Sequence, residues 1–252
     1  MADNNFSLAL ATSLSDVKEA LPVGFNTTRF VQNAVALLNG NTVLQDFAHA
    51  NGTAQIKSGL MQGAYLGLDF MNGDAYLVPF KGKLNFMKSY KGAVKLAKQY
   101  STRPIKNIFA EVVRQGDEFI NKVVDGEQTV DFSPIPFNDG DIVGAFAVCQ
   151  FEDGTKMVET MSLKDIQNTR SHSKASSSGP WVDFFGEMCK KTVLHRICKK
   201  IDLDMNAEQR MAYESDEQIE TDSKKVAENE VDINANKEVF TADFEMVEDT
   251  AQ

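Results

Sequence analysis

Residues 75–100 read Ala75-Tyr76-Leu77-Val78-Pro79-Phe80-Lys81-Gly82-Lys83-Leu84-Asn85-Phe86-Met87-Lys88-Ser89-Tyr90-Lys91-Gly92-Ala93-Val94-Lys95-Leu96-Ala97-Lys98-Gln99-Tyr100. Two apolar-rich runs, 75–80 and 84–88, flank Lys81-Gly82-Lys83, which predicts a β-hairpin with a glycine-centred loop. Pro79 cannot donate to a ladder, so the first strand lies at an edge or beside a bulge. From Ser89 the period changes to that of a helix, running to Tyr100.

Working upstream, residues 26–39 predict a helix with Asn26 or Thr27 as cap, Phe30, Ala34 and Leu37 on one face, and Gly40 as the stop. A second helix is expected from about Thr53 to Leu66. Its Gly59 and Gly63, with Gly67, recur every fourth residue, which suggests a close helix crossing. Downstream, strand-like runs fall near 107–114, 118–124, 128–132, 142–151 and 155–161, divided by Gln115-Gly116-Asp117, Asp125-Gly126 and Asp153-Gly154. A helix opens at Ser162 with Asp165 as its box partner. Residues 171–179 form a polar loop, and a final helix runs from Pro180 to about Ile201. Strands in runs, flanked by helices, predict an α+β fold with helices packed on an antiparallel sheet.

Charge divides the chain. The net charge of −10 resolves into sixteen Asp/Glu against four Lys/Arg over 202–252, and twenty against twenty-two over 1–201. The acidic segment has too few apolar residues to offset its ordering entropy, so 202–252 is expected to be largely disordered. Near its end, Phe240, Phe244 and Met246 alternate with acids in the manner of a partner-docking peptide. No apolar run reaches the length of a membrane span, and Met1–Asn5 lacks the features of a secretory signal. Three cysteines without a CxxC pair read as reduced thiols of a cytoplasmic protein.

Catalytic motifs are missing from the sequence. There is no Walker A loop and no GxSxG elbow. Cys189 and His195 are six residues apart on a predicted helix and point away from each other; His195 and Cys198 alone are too few for a structural zinc site. The remaining carboxylates that could serve a metal-dependent nuclease are Glu111, Asp139 and Asp141.

The strongest signal is electrostatic. Between Lys81 and Ala110 there are eight bases and no acid: Lys81, Lys83, Lys88, Lys91, Lys95, Lys98, Arg103 and Lys106. Lys91, Lys95 and Lys98 are spaced i, i+4, i+7 and form one stripe. With Phe86 and Tyr90 between the charges, hairpin and helix would present ammonium groups for phosphates and rings for bases, as a single-stranded nucleic-acid groove requires. A second basic set comprises Lys190, Lys191, Arg196, Lys199 and Lys200, with no acid between Glu187 and Asp202. Arg170 and Lys174, in and beside the polar loop, complete the candidates.

Several blocks resemble the RecT family of phage recombinases: Gly63-Ala64-Tyr65-Leu66-Gly67-Leu68-Asp69, then Ala75–Phe80, then Tyr90-Lys91-Gly92-Ala93-Val94-Lys95-Leu96-Ala97, then Pro180-Trp181 with Glu187-Met188, Lys190-Lys191-Thr192, Arg196 and Lys199. The similarity spans roughly residues 30–201. Two positions depart from it: His195 stands where a second arginine is common, and Asp69-Phe70 replaces a proline-containing turn. The resemblance implies a protein, not an enzyme, that binds single-stranded DNA and anneals complementary strands without ATP. It further implies a ring or helical filament, a hairpin-based α+β core shared with eukaryotic annealing proteins, and work beside a phage exonuclease in a bacterial host. The host single-strand binding protein is a further expected partner, and Mg²⁺ would serve only as a counterion of DNA.

The organisation expected on this basis has three parts. They are an N-terminal arm over 1–25 available for assembly contacts, a DNA-binding and oligomerisation core over 26–201, and the acidic tail over 202–252. Three other readings remain at this point: a single-strand binding protein without annealing activity, the metal-dependent nuclease, and an assembly scaffold indifferent to DNA.

Overall fold

A computed structural model describes residues 2–80, 82–124, 126–171, 173 and 176–215. Helices α1 (Ala2–Asp16), α2 (Thr27–Gly40), α3 (Thr42–Asn51) and α4 (Ala54–Leu66) precede the hairpin β1 (Ala75–Phe80) and β2 (Lys83–Lys88), then α5 (Tyr90–Tyr100). Strands β3 (Ile105–Arg114), β4 (Glu118–Val124), β5 (Glu127–Ser133), β6 (Ile142–Phe151) and β7 (Lys156–Ser162) come after it. Helices α6 (Leu163–Ser171), α7 (Pro180–Asp183) and α8 (Phe185–Cys198) are next, and residues 207–215 form a further helix, α9. The α+β class is as expected, with every strand pairing antiparallel.

The strands divide into two hairpins, β1–β2 and β4–β5, and one three-stranded sheet ordered β3-β6-β7. Alternation along β6 explains how this central strand is covered on both sides. Ala145, Ala147, Cys149 and Phe151 face the helices, against Trp181, Cys189, Val193 and Ile197. Phe146 and Val148 face the β4–β5 hairpin, where Phe119 and Phe132 pack on Phe146 at centroid distances of 5.1 and 5.0 Å. The three thiols lie on the helix side. Burial pushes Cys149 and Cys189 up to about 11 and Cys198 to about 12, which keeps them protonated at neutral pH.

Local signals place the helices. Asn26 caps α2 by accepting from the Arg29 amide, and Ser89 caps α5 by accepting from the Gly92 amide. Ser162 and Asp165 exchange bonds across the first turn of α6. The last expected helix is interrupted. Phe184, at φ −132° and ψ 48°, separates α7 from α8 within a span read as one helix. The glycines of α4 are not at a helix crossing either. Gly59 receives the side chain of Leu77 from β1, and Gly63 receives the Phe70 ring from the turn after α4.

Two expected boundaries change. Residues 1–25 are not a free arm, because Phe6, Leu10 and Leu14, at i, i+4, i+8 on α1, are buried in the same core as Leu60, Leu77 and Phe86. Nor does the packed structure end at Ile201. Ala212 is buried in that core, and Met205 and Tyr213 pack against it, so the first fourteen residues of the acidic segment are ordered. The disorder expected from Asp216 onward, and the docking residues Phe240, Phe244 and Met246, lie outside the described residues.

The turn before β1 locks α5 in place. The Asp74 carbonyl accepts from the Ser89 amide at 2.9 Å, and the Asp74 carboxylate accepts from the Asp69 amide at 3.1 Å. Gly92 is buried against the same carbonyl, which a Cβ at position 92 would overlap. Gly→Ala within a helix ordinarily adds about 1 kcal/mol. Here the sign reverses: Gly92→Ala is expected to lose about 2–3 kcal/mol through overpacking, measured by urea denaturation. A gain in stability would show that α5 does not press on this turn.

Candidate nucleic-acid interface

Strand parity decides what the hairpin offers to solvent. Leu84, Phe86 and Lys88 share one face of β2, and that face is the core side. Phe86 is 1% exposed. It ends a run of rings, with Phe25–Phe30 at 5.2 Å, Phe30–Phe70 at 6.2 Å and Phe70–Phe86 at 6.2 Å. Phe86 is therefore a core residue, and the expectation that it stacks on bases is corrected. Lys88 is turned inward for the same reason. Its Nζ donates to the Tyr213 carbonyl at 3.0 Å and lies 3.7 Å from the centre of the Tyr213 ring. It is 6% exposed and is not part of an outer cationic surface.

The stripe on α5 is also divided. Lys91 and Lys98 are exposed and make no ion pair with any described residue. Lys95, between them, is held at its tip: Nζ sits 2.7 Å from the Asp74 carboxylate and donates to the Gly67 carbonyl at 2.8 Å. Asp74 lies outside the acid-free window 81–110, so charge counted along the chain does not reveal it. Tyr90, at the start of α5, is half-buried, with Lys191 Nζ 5.9 Å from its ring centre. Burial pushes the Lys191 ammonium down from its ordinary value. Lys83 and Lys106 are exposed, on β2 and β3.

Other expected contacts already have partners. Arg103 bonds Asp153 at 2.8 Å and Thr155, and stacks 4.0 Å over Phe151. Hydrogen bonds from Thr155 and then Arg103 hold the Asp153 carboxyl down at about 2. Arg170 donates through Nε to the Ser176 carbonyl at 2.6 Å. Lys190 pairs with Glu187 at 2.6 Å, a hydrogen bond that raises its pKa. Lys81 and Lys174 lie outside the described residues.

The second basic set encloses an acid that charge runs along the sequence do not single out. Glu159 faces the helices from β7 in line with Met157 and Met161, and is 5% exposed. Arg196 Nε lies 2.7 Å from its Oε1, and Lys200 Nζ bonds its Oε2. An acid at an inward strand position needs cationic partners, and that was the available signal. Arg196 and Lys200 thus fasten α8 and the turn after it to β7, with their side chains about half exposed. Lys199 is exposed.

Of the first basic set, the lysines that are exposed and without an ion pair among the described residues are Lys91 and Lys98 on α5, Lys83 on the hairpin and Lys106 on β3. Such groups can neutralise phosphates of an extended strand. No three His, Cys, Asp or Glu side chains gather as metal ligands among the described residues, so Glu111, Asp139 and Asp141 do not form one group. No helix among them is long and apolar enough to cross a membrane.

The RecT family model matches residues 28–231 of this chain. Protein RecT of Escherichia coli (strain K12) is 29% identical over 210 residues, which cover 79% of this chain and 73% of that protein. The family match takes in the hairpin, the basic α5 and the Glu159-anchored α8 together. The chain belongs to the RecT family, the single-strand annealing proteins of DNA recombination.

Proposed function

We propose that this protein holds single-stranded DNA along the outer face of α5 and pairs it with a complementary strand without ATP, acting as a ring or helical filament. The observation that carries this reading is the exposure of Lys91 and Lys98, seven residues apart on one helix face and without ion pairs to described residues. Lys83 on β2, Lys106 on β3 and Lys199 after α8, all exposed, are further candidates for phosphate contact. Bound lysines lower the repulsion between two strands, and base pairing with stacking then supplies the free energy of annealing. Repetition of the subunit along the strand turns weak contacts into firm ones. A phage exonuclease would supply the single strand. The host single-strand binding protein would be met through Phe240, Phe244 and Met246.

The lysines fall into two classes with different expected behaviour. Lys91→Ala with Lys98→Ala should lower the dependence of log affinity on log salt by about 0.7 for each phosphate that is no longer neutralised. Lys95→Ala should leave that slope unchanged and lower thermal stability, because its charge serves Asp74. Oligonucleotide binding across a salt series, beside thermal melts, makes the distinction. Annealing of complementary oligonucleotides should accelerate with the wild type in the absence of any nucleotide cofactor. Binding without acceleration would reduce the protein to a single-strand binder.

A further inference from the structure

The loop between β5 and β6 holds an aromatic ring in solvent. Phe137 is 100% exposed, and its backbone stands at φ 56°, in the left-handed region that bulky residues rarely occupy. The residues on either side of it are tied down. The Asp117 carboxylate accepts from the Arg114 amide at 2.8 Å, the Ile135 amide at 3.0 Å and the Asn138 side-chain amide at 2.7 Å. Asn138 accepts in turn from the Gly140 amide at 2.8 Å, and the Gln115 amide donates to the Asp141 carbonyl at 2.8 Å. The Arg114 guanidinium closes the loop with a bond of 2.7 Å to the Gly140 carbonyl. A ring held in this way loses little conformational freedom on docking, and aromatic anchors dominate the energy of protein interfaces.

Charge narrows the partner. The two stretches that build the loop, 115–118 and 133–141, contain four acids and no base: Asp117, Glu118, Asp139 and Asp141. Phosphates are repelled there, so the ring is not placed for DNA bases. Two such loops repel each other as well, so the ring's receptor is a different surface. The same chain offers one. Between α1 and α2, Ser7, Leu8, Ala11 and Val31 line an open, mainly apolar recess. Leu8 is 67% exposed there. Residues 4–15 carry no charge, and the one charged residue of α2 is Arg29, whose side chain is largely exposed. An acidic loop therefore meets no like charge on these stretches and finds a cation.

We propose that Phe137 of one copy seats in the α1–α2 recess of a second copy. The proposal rests on the ring or filament reading above and names one of its contacts. Knob and recess are different surfaces on different cores: α1 packs with Leu60 and Phe86, whereas the β4–β5 hairpin packs with Phe146. A head-to-tail contact of this kind repeats from copy to copy and builds rings or helical filaments, not symmetric pairs.

Full-length variants test this by sedimentation velocity over a concentration series, with and without a labelled oligothymidine. Asparagine suits a left-handed backbone better than phenylalanine. Phe137→Asn should therefore melt at or above the wild-type temperature, while its assembly midpoint rises at least about tenfold. Leu8→Glu, at an exposed helical position, should keep its fold and raise the midpoint likewise. Mixed in equal amounts well above the wild-type midpoint, the two variants should form dimers and stop, because each pair retains one intact ring and one intact recess. Assembly of either variant at the wild-type midpoint overturns the proposal and leaves the ring or filament reading standing. Two defective variants whose mixture gives no dimer also overturn it. Unchanged assembly of Phe137→Asn with weaker oligothymidine binding would make the ring a base-stacking group, again overturning it. A wild type that stays monomeric with and without DNA overturns both the proposal and the assembly reading.

Discussion

Phe86→Ala is expected to lower the unfolding free energy by about 3–5 kcal/mol, the usual cost of emptying a buried phenylalanine site, and to leave the DNA affinity of the folded protein unchanged. The ring is enclosed: it is 1% exposed, stands opposite Leu77 in the hairpin register, and closes the aromatic run Phe25–Phe30–Phe70–Phe86. Removing it opens a cavity between the hairpin and α4, two elements that position α5. Phe86→Leu keeps most of the volume and should cost less. Urea denaturation beside oligonucleotide binding separates the two quantities. A variant of normal stability that loses about 1–3 kcal/mol of DNA binding would mean that the ring stacks on bases and is not held in the core.

Stopping the chain after Ile201 is expected to unfold it, whereas stopping after Ser215 should leave its melting temperature nearly unchanged. The shorter form loses the Leu203 bridge, the buried Ala212, and the packing of Met205 and Tyr213 on the first core. It also strips the cover from Lys88, leaving an inward-facing ammonium with neither the Tyr213 carbonyl nor its ring. Each large apolar side chain removed from a core contributes about 1.5–3 kcal/mol, so the sum rivals the 5–15 kcal/mol that holds a typical domain folded. Melting curves and limited proteolysis of the two truncations decide the matter. Equal stability would show that α9 only rests on the surface.

The charge split at Asp202 is a true property of composition, but composition does not mark where packing stops. Leu203, Met205, Ala212 and Tyr213 are few, and each finds its place only because α5 and β2 already present a surface to cover. Helix α3 lies outside the expected elements for a smaller reason. Its apolar face is short, with Leu44 and Phe47 alone buried, although Asn41 caps it by accepting from the Leu44 amide and Gly52 ends it at φ 73°. Both end signals are local and were legible.

Local chemistry by itself determined the hairpin 75–88, the Ser89-capped α5, the strands after it, and the Ser162/Asp165 box, because each depends on residues within a few positions of one another. It also carried the family resemblance. Only the tertiary structure decided which lysines are available. Lys88 is turned inward by strand parity onto a residue 125 positions away, Lys95 is held by Asp74 from 21 positions upstream, and Arg196 and Lys200 are held by Glu159 on a strand reached through the sheet. An ion pair forms between groups that the fold brings within a few ångströms, and distance along the chain does not enter Coulomb's law.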